Sequence, residues 1–175
     1  MQCTGVVKPN SGFTMMELLI VIVILAILGA LAIPSYLASV RREQLTATSR
    51  SVVNWLEDAR NEAVKEMVSC EVSLTLNSNQ PGLLEIKSSS PGCTQQSPLV
   101  IGGKDPETTK VEVDGQQQGS VELLFSPRGT TSSNQEWKLS QKNAAGARCI
   151  RISSPLGLIR LGKLSANQCD YSQVI

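Results

Sequence analysis

The sequence predicts an α+β protein in which a long N-terminal helix is laid on antiparallel strands, and three observations carry that prediction. Residues 18–33 (LLIVIVILAILGALAI) are hydrophobic at every position but Gly29. From Ser35 to about Val68 there is neither glycine nor proline, and apolar or small residues recur at steps of three, four and five. From residue 70 that period stops, and short runs with alternating character appear between turn-forming stretches. The chain has 175 residues, 41% of them hydrophobic, with 16 basic and 15 acidic side chains. Its length excludes a large multidomain enzyme, and its near-neutral charge makes no global case for nucleic acid. It has no histidine, so no Ser-His-Asp triad, Cys-His pair or HExxH zinc site can form within it. No catalytic residue and no cofactor is expected.

Residues 1–12 (MQCTGVVKPNSG) are short and polar, carry one base at Lys8, and end in Gly12 just before the apolar run. An ordinary secretory signal fits, with Ala30-Leu31-Ala32 as its small-residue cleavage site. A simple membrane anchor fits too, because Phe13 to Ile33 spans about 31 Å as a helix against a hydrocarbon core of about 30 Å. Glu17 separates these readings from a third. A carboxylate costs roughly 2.5–3.5 kcal/mol at the centre of a membrane helix, less near its end, and such groups normally find a partner. Cutting the chain between Gly12 and Phe13 creates an α-amino group four residues before Glu17, on the same helical face.

The run Gly12-Phe13-Thr14-Met15-Met16-Glu17, followed by Leu18-Leu19-Ile20-Val21, resembles the class III signal of type IV pilins and type II secretion pseudopilins. The resemblance implies a type IV pilin fold, cleavage after Gly12 by a prepilin peptidase, and N-methylation of Phe13. It also implies two assembly residues. The family glutamate falls on Glu17, which pairs with the N-terminal amine of a neighbouring subunit, and the usual proline falls on Pro34. Pro34 lacks an N–H and its ring disrupts the preceding turn, so with Gly29 nearby the helix is expected to bend or loosen around residues 29–34.

Beyond Pro34, the stripe Leu37, Val40, Leu45, Thr48, Val52, Leu56, Ala59, Ala63 and Met67 predicts an amphipathic helix over residues 35–68 that covers a sheet. Arg41 and Arg42 lie just past the membrane, within reach of lipid headgroups or neighbouring subunits, or on a solvated face. Strands are expected at Cys70–Leu76, Leu83–Lys87, Lys110–Val113, Val121–Phe125, Glu136–Leu139, Arg148–Ile152 and Leu158–Leu161. Clean alternation, as in Val111-Glu112-Val113, gives their sheets one wet face. The expected organisation is therefore a cleaved leader over 1–12, a transmembrane and assembly helix over 13–34, an amphipathic helix over 35–68 and a β-rich domain over 69–175.

Phe125-Ser126-Pro127-Arg128-Gly129, the strand Cys149-Ile150-Arg151-Ile152-Ser153 and the closing Ser154-Pro155-Leu156-Gly157-Leu158-Ile159-Arg160 resemble the carboxyl domain shared by pseudopilin H and minor pilins of the FimT and FimU kind. This resemblance implies a minor, tip-associated or priming subunit of a type IV pilus, with pseudopilin H of a type II secretion system as the alternative. The partners it implies are other pilins, the prepilin peptidase, the inner-membrane assembly platform and membrane lipid. The protein would sit in the inner membrane with its β-rich domain outside the cytoplasm, then in a pilus or a periplasmic pseudopilus. Major pseudopilins typically carry a calcium site near their end. Here only Asp170 is acidic after Glu136, so no metal site is expected.

Cys3 would leave with the leader, and the remaining Cys70, Cys93, Cys149 and Cys169 allow three full pairings. Chain order favours Cys70–Cys93 and Cys149–Cys169, which close short loops, and an extracytoplasmic location would let them persist. A disulfide near the C-terminus also matches the family habit. Between Trp137 and Ile175 the bases Lys138, Lys142, Arg148, Arg151, Arg160 and Lys163 face Asp170 alone. Such a cluster can grip phosphates, and some FimT-type pilins bind DNA through a C-terminal glycine-arginine-any-arginine motif. The matching window, Gly157-Leu158-Ile159-Arg160, has Leu158 at the first arginine. Arg148, Arg151, Arg160 and Lys163 are the candidate DNA contacts, against the alternative of a solvated strand edge.

Overall fold

The computed structural model describes residues 12–77, 80–87, 92–93, 97–102, 109–142 and 146–172, with the side chains of residues 31–34 and 80–81 outside that set. The chain divides into two compact units, Met1–Leu37 and Ala38–Ile175. One helix, α1 (Met15–Lys65), contributes to both.

In the first unit, α1 opens on Thr14, whose Oγ1 accepts the Glu17 N–H at 3.2 Å. Thr14 is thus the N-cap, satisfying one of the amide groups that a helix start leaves without a partner. The large apolar side chains from Leu18 to Leu28 are between 45% and 62% exposed, and the mean hydropathy reaches 3.0 over the most apolar window. Such a surface is long and apolar enough to cross a membrane. The helix assignment runs on through Gly29 and residues 31–34. The expected loosening centres on Pro34, whose side chain lies outside the described residues.

In the second unit, α1 buries Leu45, Ser49, Val52, Trp55, Leu56, Ala59 and Ala63. The predicted stripe is corrected at its ends: Leu37 is 46% exposed, and Met67 is 81% exposed because the helix stops at Lys65 before reaching it. Ser49 tolerates burial by donating to the Leu45 carbonyl at 2.8 Å, and the Trp55 indole N–H donates to the Ser97 carbonyl at 2.9 Å. The helix ends in a Schellman motif. Val68 N–H reaches Ala63 O at 3.1 Å and Met67 N–H reaches Val64 O at 3.4 Å, with Met67 at φ 55° where glycine is the usual residue.

Among the described residues nine strands follow: β1 (Cys70–Asn77), β2 (Gln80–Ile86), β3 (Leu99–Val100), β4 (Thr109–Val113), β5 (Gly119–Phe125), β6 (Gln135–Gln141), β7 (Ala147–Ser153), β8 (Leu158–Ser165) and β9 (Gln168–Asp170). They form two sheets, ordered β3-β2-β1-β5 and β4-β6-β7-β8-β9, and every pairing is antiparallel. The alternation expected at Val111-Glu112-Val113 holds on β4, where Thr109, Val111 and Val113 are buried, and β6 alternates likewise at Gln135, Trp137 and Leu139; on β7 the adjacent Cys149 and Ile150 are both buried. The α1 stripe joins Cys70, Val72, Leu74, Leu123, Phe125, Trp137, Ile150 and Ile152 in one core. Gln135 ties the sheets together inside it, accepting from the Trp137 indole at 2.9 Å and donating to the Glu122 carbonyl on β5 at 2.9 Å. β3 and β9 are absent from the sequence expectation: two and three residues hold no period. β9 exists because Ala166 and Asn167, at φ 46° and 66°, fold it back on β8 in a two-residue hairpin.

Candidate assembly and interaction surfaces

Gly12 and Phe13, the residues expected to be processed, sit at the exposed start of the described chain. Phe13 is 80% exposed, and Glu17 lies exposed in the first turn of α1. Residues 1–11 of the expected leader lie outside the described residues.

Cys70 is bonded to Cys93 and Cys149 to Cys169, with Cα–Cα distances of 5.6 and 5.9 Å. The first ties the start of β1 to the segment after β2, and the second ties β7 to β9. Closing loops of this size is worth about 3 kcal/mol in the chain-entropy account.

Past β9 the chain lies against Gly162 of β8. A Cβ built on Gly162 would sit 2.6 Å from the Asp170 carbonyl and 2.6 Å from the Tyr171 ring, so only glycine admits this crossing. Tyr171 then stacks beneath Arg151, whose guanidinium carbon is 4.3 Å from the ring centroid. Its hydroxyl donates to Glu136 Oε2 at 3.0 Å, and Arg151 Nη2 donates to the same oxygen at 3.0 Å. Burial and the Glu136 carboxylate push the Tyr171 phenol up to about 12. At Glu136 burial pulls upward, but the hydrogen bonds from Arg151 and Tyr171 outweigh it and hold the carboxyl below its ordinary value.

The four candidate DNA contacts divide between two faces. In the β7–β8 register Arg151 lies opposite Arg160 and Arg148 opposite Lys163. Arg148 and Arg151 are three positions apart along β7, so they point to opposite sides of the sheet. Arg151 is engaged by Glu136 and Tyr171. Arg148 points to the α1 side, where its Nε and Nη2 donate to Thr46 Oγ1 at 3.1 and 2.8 Å. Burial, and secondarily the Arg50 charge, hold the Arg148 guanidinium below its ordinary value. A cleft at this point is lined by Arg42, Leu45, Gly146, Ala147, Arg148 and Lys163. Sequence reasoning had no means of placing Arg42 here, since the contact spans about a hundred residues of chain.

The two loop motifs of the carboxyl half meet under one side chain of α1. Gly129 (φ 72°) and Gly157 (φ 62°) approach so closely that a Cβ on Gly157 would lie 2.4 Å from the Gly129 carbonyl oxygen. Arg60 bridges them, donating from Nε to Gly129 O at 2.8 Å and from Nη2 to Leu156 O at 3.2 Å. Thr131 N–H adds a bond to Pro155 O at 3.1 Å. Ser126 shapes the first turn, its Oγ accepting the Arg128 and Thr130 amides.

The first of those motifs and the start of the second fall inside a family match. Residues 48–156 match the family described as type II transport protein GspH, and residues 7–33 match the prokaryotic N-terminal methylation motif. The chain belongs to the GspH family. Two fimbrial proteins of Pseudomonas aeruginosa are each 30% identical to it over 151 residues, covering 85% of this chain and 90% of the relative. The type IV minor pilin FimU of Pseudomonas aeruginosa PAO1 shares the fold in two crystal forms. One gives a TM-score of 0.53 at 17% identity, covering 74% of this chain and 95% of FimU. The other gives 0.50 at 18% identity, covering 72% and 97%. The long helix on antiparallel sheets is therefore a type IV minor pilin fold, and the methylation motif, the GspH match and the fimbrial relatives make this chain a pilin-like protein. Family and fold are those of structural pilins, and among the described residues no group of three or more potential metal ligands occurs.

Proposed function

We propose that this protein acts as a minor type IV pilin, placed at the tip of a pilus or in the complex that primes it. One observation carries the reading: the methylation-motif match over residues 7–33 takes in the exposed apolar stretch of α1, and the same helix runs on to Lys65. The physics suits a subunit that is stored in a membrane and then transferred into a helical bundle of its own kind, because lipid tails and neighbouring pilin helices present equally apolar surroundings. Cleavage between Gly12 and Phe13 by a prepilin peptidase and methylation of Phe13 would create the mature end. Glu17, otherwise a costly carboxylate in lipid, would pair with the amine of an adjacent subunit. Before assembly the chain would be held in the inner membrane, its carboxyl unit outside the cytoplasm, where the two disulfides are favoured. The GspH match also supports a pseudopilin H role in a type II secretion pseudopilus, which uses the same helix packing.

Mass spectrometry of the protein recovered from its host tests this reading. The expected N-terminus is N-methylated Phe13. A start at Ile33 would show ordinary signal cleavage and overturn it. Glu17→Ala should leave membrane insertion intact and strongly reduce recovery in sheared filaments; undiminished recovery would show that the charge is dispensable.

A further inference from the structure

We propose that the exposed face of α1 in the carboxyl unit is a contact surface for a second copy of this chain, packed parallel to the first and displaced along it by seven residues; this rests on the reading that the protein assembles side by side with pilin-like neighbours. In this unit α1 carries two opposed stripes. One, from Leu45 to Ala63, is buried in the core. The other steps by four and three through Glu43, Ala47, Arg50, Asn54, Glu57 and Asn61 to Val64, and every one of these is exposed. That spacing keeps a stripe in line with a neighbouring helix, as in a coiled coil. Its seventh positions are charged with alternating sign, Glu43, Arg50 and Glu57, before Val64 closes the series. None of the ion pairs among the described residues takes in these three. Glu43 and Arg50 have no opposite charge three or four positions away. Arg60, three positions beyond Glu57, is committed to the Gly129 and Leu156 carbonyls.

Charge selects one parallel alignment. With two copies in register, Glu43, Arg50 and Glu57 each face their own kind, and all three contacts repel. Displaced by seven residues, about 10 Å of helical rise, Glu43 faces Arg50 of the second copy, Arg50 faces Glu57, and Glu57 faces the neutral Val64. Displaced by fourteen, Glu43 faces Glu57 and repulsion returns. Between the charges, Ala47, Asn54 and Asn61 are short enough for the helices to approach. An antiparallel pair can also match Arg50 with Glu57, but the symmetry of a polar filament repeats every element with the same axial sense. After burial, the Arg50 charge is what holds the Arg148 guanidinium below its ordinary value, so a carboxylate brought to Arg50 also relieves that crowding. Exposed ion pairs are individually weak. The stripe therefore selects the displacement between copies and is not what holds them together.

Disulfide cross-linking between two differently tagged full-length copies, co-expressed in the host in a Cys3→Ser background and oxidised in isolated membranes, tests the register. A bond needs Cα atoms within about 7 Å, so Glu43→Cys with Arg50→Cys, and Arg50→Cys with Glu57→Cys, should each link about fivefold more than Arg50→Cys with itself. An antiparallel pair would link only one of the two mixed combinations and would overturn the proposal. So would Arg50→Cys linking to itself as well as the mixed pairs do, or no linking in any combination. Links from Glu43→Cys to a different chain, with none to a second copy, would refute the second-copy assignment. Co-purification of the two tags should fall in Arg50→Glu and return when Glu43→Arg and Glu57→Arg are added to it; a variant that merely misfolds would not be rescued, and no rescue would refute the charge matching. These failures are separate from failure of the pilin reading, which a mature start at Ile33 would show whatever the cross-links do.

Discussion

Gly157→Ala probes the closest approach in the carboxyl unit. Two costs add. Alanine at φ 62° occupies the left-handed region, at about 1–2 kcal/mol. Its Cβ would also sit 2.4 Å from the Gly129 carbonyl oxygen, a backbone atom that moves only if the loop bonded to Arg60 moves with it, and such overpacking costs about 1–3 kcal/mol. The expected destabilisation is about 2–5 kcal/mol, against a total stability of about 5–15 kcal/mol for a typical domain. For a domain of this size that lowers the melting temperature by about 2–4 °C per kcal/mol. Thermal unfolding of the full chain in detergent, followed by the fluorescence of buried Trp55 and Trp137, measures it. Gly115→Ala is the control: its φ is 86° and nothing lies within 4 Å of its Cβ, so it keeps the conformational cost without the contact. If both variants lose the same stability, the Gly129–Gly157 approach carries no energetic weight and the account of the two loop motifs fails.

Met67→Gly should stabilise the protein by roughly 0.5–1 kcal/mol in the same assay, because Met67 holds the left-handed position of the Schellman motif with its side chain in solvent; a loss of stability would refute that. The Tyr171 phenol, raised to about 12 in the folded protein, lies above its unfolded value of about 10. Its contribution is therefore complete below about pH 10 and lost as pH rises through about 12. In a Tyr36→Phe background, phenolate absorbance should appear near pH 12, and a midpoint near 10 would show that Tyr171 is not held against Glu136. Glu136 runs the other way: its lowered carboxyl stabilises the fold above its unfolded value, and the contribution fades as pH falls through that range. The acid limb of a stability–pH profile should therefore be shallower in Glu136→Gln than in wild type; identical limbs would refute the linkage.

The legible parts of this protein are those written in local periods. The apolar run from Leu18, the helical stripe and the alternating strands each repeat at a spacing that solvent imposes on one element, so helix, β-rich half and most strand positions follow from residue order. The class III signal is legible for a similar reason, because a peptidase reads a short contiguous stretch. Cysteine order favoured one pairing, although three remained open. What has no period stayed hidden: β9 depends on a hairpin turn and a crossing at Gly162, and Met67 fell off the stripe because the helix ended two residues earlier. The basic residues show the division most plainly. As a sequence, Arg148, Arg151, Arg160 and Lys163 form one cluster; as a structure, strand alternation sends Arg151 to Glu136 and Tyr171 and sends Arg148 to Thr46, where it meets Arg42. Sequence by itself determined which segments are apolar throughout, which have one apolar face and which alternate, because that choice is made by local hydrophobic spacing. Only the tertiary structure decided which charges share a cleft, because it brings side chains about a hundred residues apart into contact, and electrostatic energy depends on distance in space.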